Sequence, residues 1–207
     1  MKQRDVNKNP WKQAEKILNN AGLSAMPAHA GQAGIVVLPT DTLYGIVGSA
    51  LSKKAVSRIY KIKGRSENKP FIVLINSYKQ LEIFGVKITE DQAKILKKFW
   101  PGKVSIILPC KLEKWRYLHR KTNSIAFRMI GKRNKNLFNL INKVGPVVAP
   151  SANPQGMPSA KTTKEAKNYF SPKQGLGPDL YINVGKRDTS PSKLLKYENG
   201  KFMVVRK

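Results

Sequence analysis

Cysteine is nearly missing from this chain: Cys110 stands alone, so neither an internal disulfide nor a multi-cysteine zinc site is available. Histidine is almost as scarce. His29 and His119 fall in separate loop-like stretches, which argues against a histidine metal centre or a Ser-His-Asp triad and leaves no metal-ligating set. No run approaches the ~18 consecutive apolar residues that span a bilayer. Met1 to Asp5 lead into a polar helix without the apolar core of a signal peptide. A cytoplasmic protein with no membrane partner is the expectation. The Gly-x-x-x-x-Gly-Lys-[Ser/Thr] phosphate loop and the dinucleotide glycine fingerprint are also missing. Acidic side chains are few: 12 Asp and Glu face 39 Lys and Arg over 207 residues, a formal charge of +27. Such an excess suits an anionic partner such as nucleic acid or a nucleotide, and it equally suits a lysine-coated, solvated surface.

What is present is periodic. Apolar residues make up 41% of the chain, enough for a sizeable core in one domain over residues 1–207. Asn9-Pro10 opens a helix that stops near Gly22, and residues 22 to 33 read as a connector. Ile35 to Leu38 and Phe71 to Ile75 are continuous apolar runs of buried-strand type. Between them Ser52 caps a helix with Val56, Ile59 and Tyr60 on its apolar face, ending at Gly64. Thr89 and Gln92 form a capping box, and Trp100-Pro101-Gly102 stops that helix. Strands follow at Val104 to Leu108 and Ile125 to Arg128, and a helix carries Leu137, Leu140 and Ile141. Val147 to Ala149 runs into Pro150-Ser151-Ala152-Asn153. Thr162 and Glu165 open a last helix ended by Pro172, and strands near Lys193 to Tyr197 and Phe202 to Val205 follow. The alternation predicts an α/β (α+β) fold, a mixed sheet flanked by helices.

Three clusters carry chemistry. Pro39-Thr40-Asp41-Thr42-Leu43-Tyr44-Gly45 places hydroxyls and a carboxylate at a strand's C-terminal end, where open sheets bind ligands; such residues also make ordinary turns. Lys63, Arg65 and Lys69 bring three cations around a glycine, suited to polyphosphate oxygens, or to solvent. Ser151 and Asn153 flank the small Ala152 and can bond a phosphate or ribose, with Ser159 extending the loop; a plain turn has the same composition. Arg128 ends its strand and could pair with a carboxylate or phosphate. Lys111 to Lys121 interleaves Trp115 and Tyr117 with basic side chains. That pattern fits either a stacking platform for single-stranded nucleic acid or a loop over the pocket with inward aromatics.

Taken in order, these segments, with Ala126-Phe127-Arg128 and Pro191-Ser192, resemble the YrdC/TsaC family of threonylcarbamoyl-AMP synthases from about Gly34 to Arg206. The resemblance implies a single YrdC-like domain of the shorter type, with a twisted mixed sheet and a basic concave face. It implies an enzyme, a nucleotidyltransferase that joins L-threonine, bicarbonate and ATP into threonylcarbamoyl-AMP and pyrophosphate. Mg²⁺ would accompany ATP. The product would serve N6-threonylcarbamoyladenosine modification of tRNA through a separate transferase complex, with tRNA or other RNA as a further partner. By motif match, Lys63 and Arg65 are the catalytic cations. Thr40, Arg128, Ala149 and Ser192 would bind threonine. Lys63, Arg65, Ser124, Ser151, Asn153, Ser159 and Arg206 would bind ATP, with Tyr44 and Lys69 as further pocket residues. The alternatives are a non-enzymatic tRNA- or double-stranded-RNA-binding or ribosome-assembly protein, and a hydrolase or carbamoyl-transfer relative that accepts another amine.

Overall fold

A computed structural model describes residues 9–19, 33–170, 177–198 and 201–206. The expected stop near Gly22, the connector up to residue 32, His29 and the Pro172 helix stop lie outside them. Helix α1, Pro10–Asn19, opens as its sequence dictates: Asn9 Oδ1 accepts the Trp11 N–H at 3.0 Å, satisfying one of the orphan amides of the first turn. Strand β1, Val36–Pro39, turns back through Thr40 to Leu43 into strand β2, Tyr44–Ser49. Helix α2, Lys53–Lys63, is capped by Ser52 Oγ, which accepts the Ala55 N–H at 3.2 Å, and closes on Gly64 at φ 55°. Glycine tolerates that left-handed conformation without a Cβ clash.

Beyond α2 come β3 (Ile72–Ile75), α3 (Lys79–Glu82), α4 (Glu90–Leu96) and β4 (Val104–Pro109). The capping box at Thr89 and Gln92 is present at the start of α4. A single 3₁₀ turn, Glu113–Trp115, leads into α5 (Arg116–His119) and then β5 (Ser124–Met129). Next are α6 (Lys135–Val144), β6 (Val147–Val148), α7 (Thr163–Tyr169), β7 (Leu180–Tyr181), β8 (Lys193–Glu198) and β9 (Lys201–Arg206). The strands form one sheet in the order β7-β1-β2-β6-β3-β5-β4-β8-β9. The β1/β7, β3/β5 and β4/β8 pairs are parallel and the others antiparallel. The mixed, helix-flanked sheet agrees with the expectation. The strands β2 and β7 and the short helices α3 and α5 were not expected. Strand β2 (Tyr-Gly-Ile-Val-Gly-Ser) is diluted by two glycines, and β7 has only two residues.

Alternation along each strand divides the interior in two. Val37, Ile46, Val73, Ile106 and Phe127 face α2, α4 and α5 in the larger core. Val36, Leu38, Val47, Leu74 and Val147 face α1 and α6 in the smaller one. Each fully buried side chain of this size contributes about 1.5–3 kcal/mol. One buried ion pair locks the β1/β7 edge. Arg58 of α2 donates to both Asp179 oxygens at 2.8 and 2.9 Å and to the carbonyls of Ala33 and Gly177. Asp179 Oδ2 also accepts the Ile35 N–H at 2.7 Å.

Because both charges are buried, Asp179→Ala should destabilise by about 3–5 kcal/mol, by stranding the Arg58 guanidinium. Urea unfolding checks this, and the double variant Arg58→Met/Asp179→Leu should recover most of the loss.

Candidate active site

The floor of the site follows from the same alternation. On β5, Ile125, Phe127 and Met129 enter the core, so Ser124, Ala126 and Arg128 point the other way. Ala126 pairs in register with Ile72 on one side and Ile107 on the other. Those three make the floor of a cavity of about 530 Å³. Its walls are the β1–β2 turn, Arg65 and Phe71 ahead of β3, Ala149 to Ser151 after β6, Ser159, Ser192 ahead of β8, and Arg206 of β9. The cavity therefore lies on a sheet face, walled by the segments next to the ends of β1, β3, β6 and β8. The small Ala126 and Ala149 leave the volume open.

The β1–β2 turn is built by its own side chains. Thr40 Oγ1 donates to the Leu43 carbonyl at 2.7 Å and accepts the Thr42 N–H at 3.2 Å. The turn buries Asp41, whose Oδ1 lies 3.0 Å from Arg128 Nη2. The contact lacks the alignment of a hydrogen bond, and Arg128 Nε, also buried, has no protein partner. Arg128 is 4% exposed and lines the cavity, whereas Asp41 stands behind it. Burial pushes the Asp41 carboxyl above its usual range, opposed first by Arg128 and more weakly by Lys103 and Arg187.

Arg65 reaches the cavity wall with Nε donating to the Lys69 carbonyl at 3.2 Å and its guanidinium 5.3 Å from the centre of the Phe71 ring. Ser151 is set by a β-bridge to Gly45 and by the Ala152 N–H to the Tyr44 carbonyl at 2.8 Å. Tyr44 borders the cavity, its ring belongs to the larger core, and its hydroxyl donates to Gly185 at 2.7 Å and accepts the Val184 N–H at 3.0 Å. Ser192 Oγ lies 2.9 Å from Ser105 Oγ, and its carbonyl accepts from Arg206 Nη2 at 2.9 Å.

Of the residues singled out in the sequence, Thr40, Tyr44, Arg65, Ser124, Arg128, Ala149, Ser151, Ser159, Ser192 and Arg206 share this cavity. Lys63, Lys69 and Asn153 are not on its wall. Lys63 is 2% exposed, and its ammonium donates to the carbonyls of Ser151 and Asn153. Asn153 Nδ2 is turned to the carbonyls of Pro154 and Met157. The Lys69 side chain is exposed; only its carbonyl joins the cluster, accepting from Arg65 and from Tyr60. The basic-aromatic segment is no stacking platform. Trp115 Nε1 donates to Ile83 at 3.1 Å and the Tyr117 hydroxyl to Ala50 at 2.9 Å, and burial pushes the Tyr117 hydroxyl up to about 12. The inward reading of those rings is the one realised. No local pattern marks Arg187 and Thr189, which bind the carbonyls of the β1–β2 turn from 145 to 147 residues away. Both sit in an aperiodic polar stretch that reads as loop.

Lys63 has a thermodynamic signature. Burial, and secondarily the charge of Arg65, pulls its ammonium down to about 7 from 10.5. Between those values the unfolded chain binds the extra proton, so stability rises with pH across that window. Below it the buried charge carries its full cost. Lys63→Met should remove this slope, at most about 1.4 kcal/mol per pH unit, as read by urea unfolding at a series of pH values.

Residues 30–207 match the family model Sua5/YciO/YrdC, described as "Telomere recombination". The chain is 34% identical over 137 residues to the threonylcarbamoyl-AMP synthase of Pyrococcus abyssi, covering 66% of this chain and 40% of that protein. It is 37% identical over 127 residues to the enzyme of that name from Bacillus subtilis, covering 60% and 36%. The crystal structure of P. abyssi Sua5 complexed with L-threonine superposes with a TM-score of 0.77 at 28% identity, over 95% of this chain and 53% of that one. The chain thus spans roughly two fifths to a half of the length of these relatives. With the family model covering all but the first 29 residues and the fold in agreement, the chain belongs to the Sua5/YciO/YrdC family.

Proposed function

We propose that the cavity is the active site of an L-threonylcarbamoyladenylate synthase, a nucleotidyltransferase using L-threonine, bicarbonate and ATP. The observation that carries this reading is the single cavity in which Arg128, Arg65 and Arg206 converge with the hydroxyls of Thr40, Ser124, Ser151, Ser159 and Ser192. Support comes from two relatives named threonylcarbamoyl-AMP synthase and from a related structure described as holding L-threonine.

In this reading Arg128 takes the amino acid's carboxylate on its unpartnered edge. Arg65 and Arg206 face the nucleotide's phosphates, with Ser124, Ser151 and Ser159 as hydrogen-bonding hydroxyls. The threonine amine combines with bicarbonate to give a carbamate and water. A carbamate oxygen then attacks the α-phosphorus, and the bond to pyrophosphate breaks. No protein nucleophile is needed, so catalysis rests on alignment and on neutralising developing charge. The walls present hydroxyls and guanidinium groups, so Mg²⁺ would be held chiefly by the nucleotide's own oxygens, sharing the polyphosphate charge. Lys63 acts from behind the wall, fixing the Ser151–Asn153 backbone. The product would pass to a separate transferase for threonylcarbamoylation of tRNA. Among the described residues no helix is long and apolar enough to cross a membrane.

Pyrophosphate release by the purified protein should require ATP, L-threonine and bicarbonate together; release with any one omitted would contradict the reading. Arg65→Ala should lower kcat/KM by the equivalent of about 2–4 kcal/mol, as for comparable electrostatic donors. Arg65→Lys should recover only part of this, because an ammonium lacks the planar fork.

A further inference from the structure

Three guanidinium groups, those of Arg65, Arg128 and Arg206, line the cavity, and among the described residues no carboxylate stands on its wall. A site of that composition would favour the most highly charged anion in solution. An amino acid is a poor competitor, because a positive field that attracts its carboxylate repels its ammonium. The nearest counter-charge is Asp41, placed behind Arg128 at 3.0 Å and sealed from water with it. Lys103, ahead of β4, and Arg187, in the stretch between β7 and β8, also act on Asp41, and Arg206 of β9 acts on Arg128. Asp41 thus faces cations from β5, from the turn ahead of β4 and from the stretch between β7 and β8. Its turn is stiffened by Thr40 and Thr42, so its charge is held at a fixed place.

The geometry points to Asp41 as a specificity-determining residue. By cancelling the field of Arg128, it makes this end of the cavity select a zwitterionic amino acid over a compact dianion. The inference rests on the proposed reading in which an amino acid occupies the Arg128 end. In low-dielectric surroundings one charge at this range is worth far more than in water, and it acts with opposite sign on the two halves of a zwitterion. The effect on an amino acid therefore largely cancels, whereas a dianion feels it twice over.

Sulfate is the probe, since it is a dianion throughout the working pH range. Its binding and that of L-threonine are measured separately by calorimetry on the wild type, Asp41→Asn and Asp41→Glu. Asp41→Asn is expected to shift the sulfate-to-threonine affinity ratio towards sulfate by about tenfold or more, and Asp41→Glu to restore most of the wild-type ratio. In the wild type the same ratio should rise once acid protonates the Asp41 carboxyl, which burial makes a weaker acid than usual; Asp41→Asn should lack that limb. A merely structural role would weaken both ligands together. An unchanged ratio in a folded Asp41→Asn protein overturns the inference. Should that variant not fold, Asp41→Ser, which also removes the charge, decides by the same ratio: an unchanged ratio overturns the inference and a shift towards sulfate supports it. A wild type that binds sulfate but no threonine overturns the amino-acid reading beneath it, whereas threonine binding with an unshifted ratio overturns only the role of Asp41.

Discussion

The two-residue period of β5 is the constraint on which both the core and the cavity rest. Ile125, Phe127 and Met129 can enter the larger core only if Ser124, Ala126 and Arg128 leave it. A slip of one residue would put a guanidinium among aromatic side chains and a phenylalanine in the cavity. The partners on both sides fix the register: Phe127 lies opposite Val73 and Ile106, themselves core residues, and Ala126 opposite Ile72 and Ile107. Arg128 is held beside the cavity because Phe127 is held in the core.

The electrostatics follow from the shortage of acids. With 12 carboxylate side chains for 39 cations, the chain fixes several cations at and around the cavity on backbone carbonyls. Lys63 is held by Ser151 and Asn153, Arg65 by Lys69, Arg187 by Thr40 and Thr42, and Arg206 by Ser192. A carbonyl orients a cation without cancelling its charge, so the positive field survives for an incoming anion. Carboxylates appear where charge must be compensated. Asp179 neutralises Arg58 at a sheet edge and Asp41 faces Arg128 behind the cavity. The first pair is aligned, with both terminal nitrogens of Arg58 donating to Asp179 and to backbone carbonyls, which suits a structural lock. The second is close but imperfectly aligned, and its arginine lies on the cavity wall.

Long-range contacts finish the walls. The stretch from Val184 to Ser192 reaches back to the β1–β2 turn through the Tyr44 hydroxyl, Arg187 and Thr189, and then supplies Ser192 to the cavity. These contacts join residues about 140 apart in sequence, so the turn's geometry depends on chain that folds onto it late in sequence order. Fixing Tyr44 and the Thr40 and Thr42 carbonyls from outside leaves the inner surface of the turn free to face a ligand.

Local chemistry decided much of this protein. The caps at Asn9, Ser52, Thr89 and Thr162, the glycine stop at Gly64 and the apolar runs of β1, β3, β4 and β5 follow from side-chain hydrogen bonding and hydrophobic period, which act within a few residues. The clustering of hydroxyls and cations that lines the cavity was legible for the same reason: each group is a short motif. Tertiary structure alone decided which side of a strand each polar residue occupies and what each cation meets. Lys63 and Arg65 are two residues apart, yet one is sealed under the Ser151 loop and the other opens on the cavity. Asp41 reads as a turn residue until β5 brings Arg128 against it. Those outcomes depend on register and crossover between distant strands, and no local propensity encodes them.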